Sequence, residues 1–492
     1  MLEPSKSATP RRAAAGLLVR QDRGLEILLA RRNQKLRFMG GHHVFPGGSV
    51  HENDDPACVQ DAPDDETGRA ICAAVREVFE ETGLLCARGG LPPIETLRQA
   101  RHGLISGETS LAAVLRQFGL SIHAADFTPA GAWLTPKWSP VRFQTRYFLY
   151  RYTGPPQEEI AAPDSEIVGL DWLTPAEARR RWHAGELRLS TPVAFVLRYL
   201  AKLPLDEALP RLADTSVHSD HIPNLFEMRR GVHILPLRSR TLPPNTHTNC
   251  VIIGEEEMLV IDPGAADEAE QEHLRQHLEA MRMLGGRVRA VVLTHGHQDH
   301  CAAAPFVSGA FDAPLWGHAS IANEVPFPIA RGLEDGEVIE VGGTARWRLR
   351  CHRTPGHDPG HLCFLEETTG TLIVGDMLAN PGPVLIDRGE GGDMTVYLEQ
   401  LERLRALSFH LLIPAHGLPL WGSGGRDAIA ALIAHRLDRE RRIRDALDRG
   451  AQTLDAILES AYDDTPRELW PYARRQIKSH LHRLGVALDN AE

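Results

Sequence analysis

The chain has 492 residues, 42% hydrophobic and 24% charged, proportions of ordinary globular protein with room for about three domains. A formal net charge of −11 excludes whole-chain electrostatic attraction to nucleic acid. Seven scattered cysteines without a C-x-x-C pair speak against a disulfide framework and predict a reducing, cytoplasmic setting; Met1 to Arg12 lack a hydrophobic signal core, and no run approaches the ~18 apolar residues of a membrane helix.

Ala13 to Arg20 and Leu25 to Ala30 read as two strands around Asp22-Arg23-Gly24, and Phe45-Pro46-Gly47-Gly48 as a turn. After a loop rich in Asp and Glu, Arg69 to Thr82 has helical periodicity. Ile71, Ala74, Val75, Val78 and Phe79 form its apolar side, and Gly83 is its stop. Glu77, Glu80 and Glu81 stand at i, i+3 and i+4 and share a face. Three adjacent carboxylates repel unless a cation lies among them. Oxygen ligands that leave water positions open suit Mg2+ or Mn2+, with a phosphate completing the shell.

Arg76-Glu77-Val78-Phe79-Glu80-Glu81, with Gly83 and Leu84, resembles the Nudix box, R-E-x-x-E-E-x-G followed by an apolar residue. The departure lies upstream. The family places its first Gly and first acidic residue much nearer the Arg. Here a long insertion separates Gly48 from Arg76, and Glu52, Asp54 and Glu66 are the candidates for the first acidic position. Nudix proteins of the coenzyme-A pyrophosphatase type carry such an insertion. Leu28-Leu29-Ala30-Arg31-Arg32-Asn33, Arg37, Gly41 and Phe45-Pro46-Gly47-Gly48 resemble their coenzyme-A signature, with Ala30 and Asn33 departing from it. Trp133-Leu134-Thr135-Pro136, Arg142 to Phe148 and Trp172-Leu173-Thr174-Pro175 continue the likeness. The resemblance implies a Nudix α/β/α sandwich over residues 10–205. It implies Mg2+ or Mn2+ held by Glu77, Glu80 and Glu81, which are also its catalytic residues, and substrate contacts from Arg31, Arg37, Gly47 and Gly48. The substrate would be a nucleoside diphosphate linked to another group, in the first instance a coenzyme-A-like compound.

Residues 206–230 mix Pro, Asp, His and Arg with weak periodicity and read as a linker. Strands resume at Gly231 to Pro236. Thr248 to Gly254 and Met258 to Ile261 form a hairpin, and Ala266 to Leu284 is an amphipathic helix. Val288 to Leu293 is a buried strand. The loop leaving it, Thr294-His295-Gly296-His297-Gln298-Asp299-His300, has the form H-x-H-x-D-H. Imidazole and carboxylate are ligands for zinc, manganese or iron. His295 and His297 can converge on one ion, with Asp299 and His300 aimed at a second position. More ligands are needed, and three apolar runs supply them. His357 follows Trp347 to Cys351, Asp376 follows Thr371 to Val374, and His416 follows Leu411 to Ile413. Tyr397 to Leu407 is the helix before the last of these strands.

With Leu259-Val260-Ile261-Asp262-Pro263-Gly264 upstream, these motifs resemble the metallo-β-lactamase superfamily of hydrolases. The resemblance implies an αββα sandwich over 231–421 holding two Zn2+, or Mn2+ or Fe2+. One ion would take His295, His297 and His357. The other would take Asp299, His300 and His416, with Asp376 bridging and Asp299 also catalytic. Asp262 would brace the loop, and His361 would sit outside the ligand set. Coordination to such an ion lowers the pKa of water to about 7, which suits hydrolysis of an ester, thioester or phosphodiester.

The remainder, 425–492, reads as three helices, Asp427 to Leu447, Leu454 to Tyr462 and Pro471 to Leu484. His435-Arg436-x-x-Arg439-Glu440 and Ser479-His480-Leu481-x-x-Leu484 resemble the winged-helix tail of lactamase-like proteins related to a mitochondrial single-stranded-RNA nuclease. Between Arg426 and Arg483 stand 12 Lys or Arg and 10 Asp or Glu, too even a balance for a phosphate-binding face. A solvated face or a lid over the metal site is expected instead. The whole chain thus reads as a multidomain α+β and α/β metallo-hydrolase. Its expected partner is a small molecule, nucleotide-linked or acyl-coenzyme-A-like, with no membrane; the sequence leaves the oligomeric state open. The alternatives are a single-stranded RNA endoribonuclease, with RNA as partner, and a metal-stabilised binding protein with an inactive Nudix module.

Overall fold

The computed structural model describes residues 9–21, 24–36, 39–135, 142–154, 166–213, 226–265 and 267–487. The chain divides into two compact units, Met1–Arg230 and Gly231–Glu492.

The first unit is built on the strand Arg11–Gln21, whose run Ala13 to Val19 is buried throughout. The sheet runs in the order His43–Val44, Leu25–Arg32, Arg11–Gln21, Phe143–Arg151, Phe127–Leu134. Arg11–Gln21 pairs in parallel with Phe143–Arg151 and antiparallel with Gly47–Ser49. Against it lies the carboxylate helix, Asp65–Thr82. Asp64 caps its start by accepting the Thr67 N–H at 2.6 Å, and Gly83, at φ 75°, ends it in the left-handed conformation. The predicted apolar side is all buried. The helix starts before the expected Arg69, and this accounts for much of the insertion. Residues between Gly48 and Arg76 form a short 3-10 turn, Pro56–Cys58, a two-residue strand, Val59–Gln60, and added helical turns.

The expected linker differs in the structure. Leu205–Ala213 is a helix with Ala208 and Leu212 buried. Phe226–Arg229 is a strand whose Glu227 forms a buried ion pair with Arg179 at 2.9 Å. The helical signal was short and was masked by Pro204 and Pro210. Residues 214–225 lie outside the described residues.

The second unit contains two large sheets. One has Val232–Arg238, His247–Gly254, Glu257–Ile261, Arg287–Val292, Leu315–Gly317 and Arg331–Gly332 in that order, antiparallel at first and parallel from Glu257–Ile261 onward. The other has Val338–Val341, Trp347–Arg353, Leu362–Glu366, Thr371–Ile373, Leu411–Ile413 and Leu420–Trp421. Helices Glu268–Met283 and Ala304–Phe311 pack on the first sheet. Helix Met394–Arg405 covers the second, burying Tyr397 and Leu401 with Leu372 and Leu412. This helix begins three residues before the expected Tyr397 because Asp393 accepts the Thr395 and Val396 N–H groups.

Three helices complete this unit: Ser423–Asp448, Leu454–Ala461 and Trp470–Leu484. They share a core of Ile443, Ile457, Leu458, Ile477 and Leu481. Ile429 and Leu432 join the core of helix Met394–Arg405. The expected solvated face is partly interior, since Arg436, Glu440, Gln476, Ser479 and His480 are all buried. Among the described residues no helix is long and apolar enough to cross a membrane.

Ile457 is fully buried, so Ile457→Ala leaves a cavity costing about 2–5 kcal/mol. Denaturant titration of the full chain should show an earlier transition for the second unit.

Candidate metal centre and carboxylate cluster

Strand Arg287–Val292 is buried between neighbours on both sides, so the loop leaving it is delivered to one place. Asp262 pins both ends of that loop. Its carboxylate accepts the Thr294 N–H at 2.8 Å, the Thr294 hydroxyl at 2.6 Å and the His300 Nδ1–H at 2.8 Å. The backbone of Asp262 is left-handed, at φ 50°. Two residues on, Gly264 lies so close to the loop that a Cβ there would be 1.7 Å from the Asp299 carbonyl oxygen. Only glycine fits.

The outer nitrogens of the buried imidazoles are tied to the scaffold. Thr294 gives its hydroxyl proton to Asp262, so its oxygen accepts from His295 Nδ1–H at 3.0 Å and leaves His295 Nε2 without a proton. His357 Nδ1–H donates to the Leu385 carbonyl at 2.9 Å, and His416 Nδ1–H to the His247 carbonyl at 3.0 Å. The Nε2 atoms therefore face inward. His297 is turned the other way: its Nδ1 lies 3.0 Å from His295 Nε2 and 3.0 Å from His357 Nε2. Nitrogens about 2.1 Å from a shared ion stand roughly 3.4 Å apart, so three ring nitrogens converge here at close to ligand spacing.

Asp376 stands beside this triad. Its Oδ2 is 3.5 Å from His357 Nε2, while its Oδ1 is 3.4 Å from His300 Nε2 and 3.2 Å from His416 Nε2. Asp299 Oδ2 lies 3.5 Å from His416 Nε2. His295, His297, His357 and Asp376 thus offer ligand atoms within 4.8 Å of one another, and so do Asp299, His300 and His416. His300 Nε2 and Asp376 Oδ1 are buried without a hydrogen bond. Buried polar atoms aimed at one another in this way fit a cation between them. His361 lies outside both groups. Its Nε2 accepts the Asp376 backbone N–H at 3.1 Å, and its Nδ1–H donates to Thr354 Oγ1 at 2.8 Å, so it orients Asp376.

The electrostatics divide the site in two. Burial, then the neighbouring imidazoles, hold His295 well below its ordinary value, and burial lowers His357. These rings are neutral, the form in which imidazole binds metal. Burial also pulls His300 and His416 down, but carboxylates overcome it. Asp376, Asp299 and Asp262 hold His300 well above the usual value, and Asp376 raises His416. Burial would push Asp376 up, yet His416 and His300 hold it well below the carboxylate range. The second group therefore calls for positive charge.

In the first unit, Glu77, Glu80 and Glu81 come together as expected on helix Asp65–Thr82. Arg76, missed as a functional residue, organises them. Its Nη1 donates to Glu77 at 2.9 Å and Glu80 at 3.1 Å, and its Nε and Nη2 grip Asp54 at 2.7 and 3.1 Å. Of the three candidate acids, Asp54 is thus the one at Arg76, and it is buried. Arg69 fastens the same loop by donating to the carbonyls of Glu52 and Asp54. Gly47 N–H donates to Glu81 at 2.9 Å. A Cβ on Gly48 would lie 2.5 Å from Glu77 Oε1. These two glycines therefore lie against the carboxylates. Burial raises Glu77 and Glu80, and burial with Glu77 raises Glu81 well above the carboxylate range. Arg31 is exposed on strand Leu25–Arg32 beside Gly169, and Arg37 lies outside the described residues. No sequence spacing pointed to Asp54; the burial of Arg76 does.

Comparison with known proteins finds three matching family models. A NUDT19 Nudix domain matches residues 54–200, the metallo-β-lactamase superfamily 243–416, and a β-lactamase-associated winged helix domain 453–485. The chain is 27% identical over 235 residues to the atrochrysone carboxyl ACP thioesterase of Aspergillus fumigatus, covering 45% of this chain and 70% of that one. Among solved structures, a β-lactamase domain protein from Burkholderia ambifaria is 25% identical, covering 54% of this chain and 90% of its own, with a TM-score of 0.46. A Nudix hydrolase from Alicyclobacillus acidocaldarius is 28% identical, covering 42% and 98%, with a TM-score of 0.37. By the three family models the chain carries, in order, a Nudix domain, a metallo-β-lactamase superfamily domain and a β-lactamase-associated winged helix domain, and it is a metal-dependent hydrolase.

Proposed function

We propose that the second unit is a dinuclear hydrolase acting on a thioester, ester or phosphodiester, with an acyl thioester as the favoured substrate. We propose that the first unit separately cleaves a nucleoside-diphosphate-linked, coenzyme-A-like compound. The observation that carries the dinuclear reading is Asp376, which turns one oxygen toward each histidine group. His295, His297 and His357 would hold one ion, and Asp299, His300 and His416 the other. When bound, such ions acidify water and polarise a carbonyl or phosphoryl oxygen.

The chain's own residues supply the rest. Asp262 and Thr294 fix the tautomer of His295 and the direction of His300. Asp299 places a carboxylate at the inner edge of the cluster, where it can take up a proton from the attacking water. The relative described as an ACP thioesterase supports a thioester over other acyl bonds. Imidazole and carboxylate donors suit zinc, manganese and iron alike.

RNA is the less favoured substrate. Many arginines of the C-terminal helices are already engaged. Arg442 pairs with Asp463 and Asp464, Arg441 with Asp438 and Asp445, and Arg436 is buried. Such pairing leaves little free charge for phosphates. In the first unit, Glu77, Glu80 and Glu81 would hold Mg2+ or Mn2+, and Arg76 keeps Glu77 and Glu80 in place. The intact carboxylate set favours an active Nudix module over an inert one.

Acyl-coenzyme-A offered to the full chain tests both sites at once. Free thiol reports the second unit, and cleaved pyrophosphate reports the first. Asp299→Ala should lower thiol release at least about a hundredfold and halve the bound metal measured by elemental analysis; full activity in this variant would remove the ligand assignment. Glu80→Gln should lower pyrophosphate cleavage by at least about a hundredfold while thiol release stays unchanged, read by chromatography of the nucleotide products. Chelation should abolish both activities, with Zn2+ or Mn2+ restoring thiol release and Mg2+ or Mn2+ restoring pyrophosphate cleavage.

A further inference from the structure

The sequence motifs around Arg436 and Ser479 have no part in the chemistry above, yet Arg436, Glu440, Ser479 and His480 in them are buried. They meet a short irregular stretch, Val384 to Asp387, that lies between strand Thr371–Ile373 and helix Met394–Arg405. The Leu385 carbonyl in this stretch accepts from His357 Nδ1–H at 2.9 Å. The residues on either side of Leu385 are held by the C-terminal helices. Ile386 N–H donates to Gln476 Oε1 at 3.2 Å, and the Ser479 hydroxyl donates to the Ile386 carbonyl at 2.6 Å. Arg436 Nη2 donates to the Val384 carbonyl. Arg475 bonds Asp387, and reaches Glu390 at 2.6 Å.

A peptide carbonyl points where its neighbours' backbones allow. With Val384 and Ile386 both bonded to side chains of the last helices, the Leu385 carbonyl has one direction, and the ring of His357 follows it. A second line of contact reaches the other side of the centre. The Arg436 guanidinium lies 5.7 Å from the Tyr397 ring centroid, and the Tyr397 hydroxyl donates to the carbonyl of Met377, the residue after Asp376.

We infer that the C-terminal helices position a metal ligand: Gln476 and Ser479, through Ile386 and Leu385, set the direction of His357. This rests on the reading of His357 as a ligand. Gln476 and Ser479 touch no reacting group and are positioning residues. Partners that orient a ligating histidine are worth about 10–100-fold in metal affinity.

The test uses the full chain loaded with Co2+, whose visible absorption reports ligand geometry, and a chromogenic chelator that competes for the ion. Ser479→Ala, and Ser479→Ala combined with Gln476→Leu, should release cobalt at roughly tenfold or more lower chelator concentration and alter the absorption bands. Ser479→Thr, which keeps the hydroxyl, should restore both. Ile457→Ala in the same helical core is the control for stability; thermal unfolding of the metal-free chains matches it to the Ser479 variants. It should leave affinity and bands unchanged. Affinity lost equally in Ile457→Ala, or unchanged in the Ser479 variants, would overturn the inference. A parent chain that binds no cobalt would instead overturn the metal reading itself.

Discussion

Five imidazoles and two carboxylates crowd into one largely buried place, His295, His297, His300, His357 and His416 with Asp299 and Asp376. Left to themselves such groups would turn away from each other or toward solvent, since a buried polar atom without a partner is costly. They stay because the far nitrogens of four of these rings are anchored to the scaffold: Thr294, Asp262, the Leu385 carbonyl and the His247 carbonyl each hold one ring. The inward nitrogens are aimed by what lies behind them. The two-sheet architecture serves this constraint, since it delivers the loops that follow four separate strands to a common edge.

The first unit solves a related problem with a different counter-charge. Glu77, Glu80 and Asp54 are held around the Arg76 guanidinium, and Glu81 is tied to the Gly47 N–H. The Arg76 guanidinium pairs with Glu77 and Glu80 but not with Glu81, and burial keeps the three glutamates raised. A divalent cation is the natural complement. In both units, then, protein groups fix the arrangement of the candidate donors beforehand.

The same logic explains why the C-terminal helices belong to the second unit. Their buried polar residues do not stabilise through apolar burial; Arg436, Gln476 and Ser479 satisfy backbone groups of an irregular stretch that has no strand partner of its own. An irregular segment next to a metal centre needs such outside support if it is to orient a ligand.

Much was legible in the chain itself. The H-x-H-x-D-H loop, the later His357, Asp376 and His416 after apolar runs, and the glutamates at i, i+3 and i+4 were all readable, because ligand chemistry and helical spacing are local properties. The helix and strand cores were readable for the same reason, while their ends moved by a few residues wherever a cap such as Asp64 or Asp393 decided them. Other features needed the folded chain. That Asp54, among three candidate acids, meets Arg76 depends on how an insertion of added helical turns folds back. That residues 205–213 form a helix was masked by Pro204 before it and Pro210 within it. That Asp376 faces both histidine groups, and that Ser479 stands behind His357, are relations between residues far apart in the chain. No local pattern encodes them, because only the packing of sheets and helices determines which distant side chains meet.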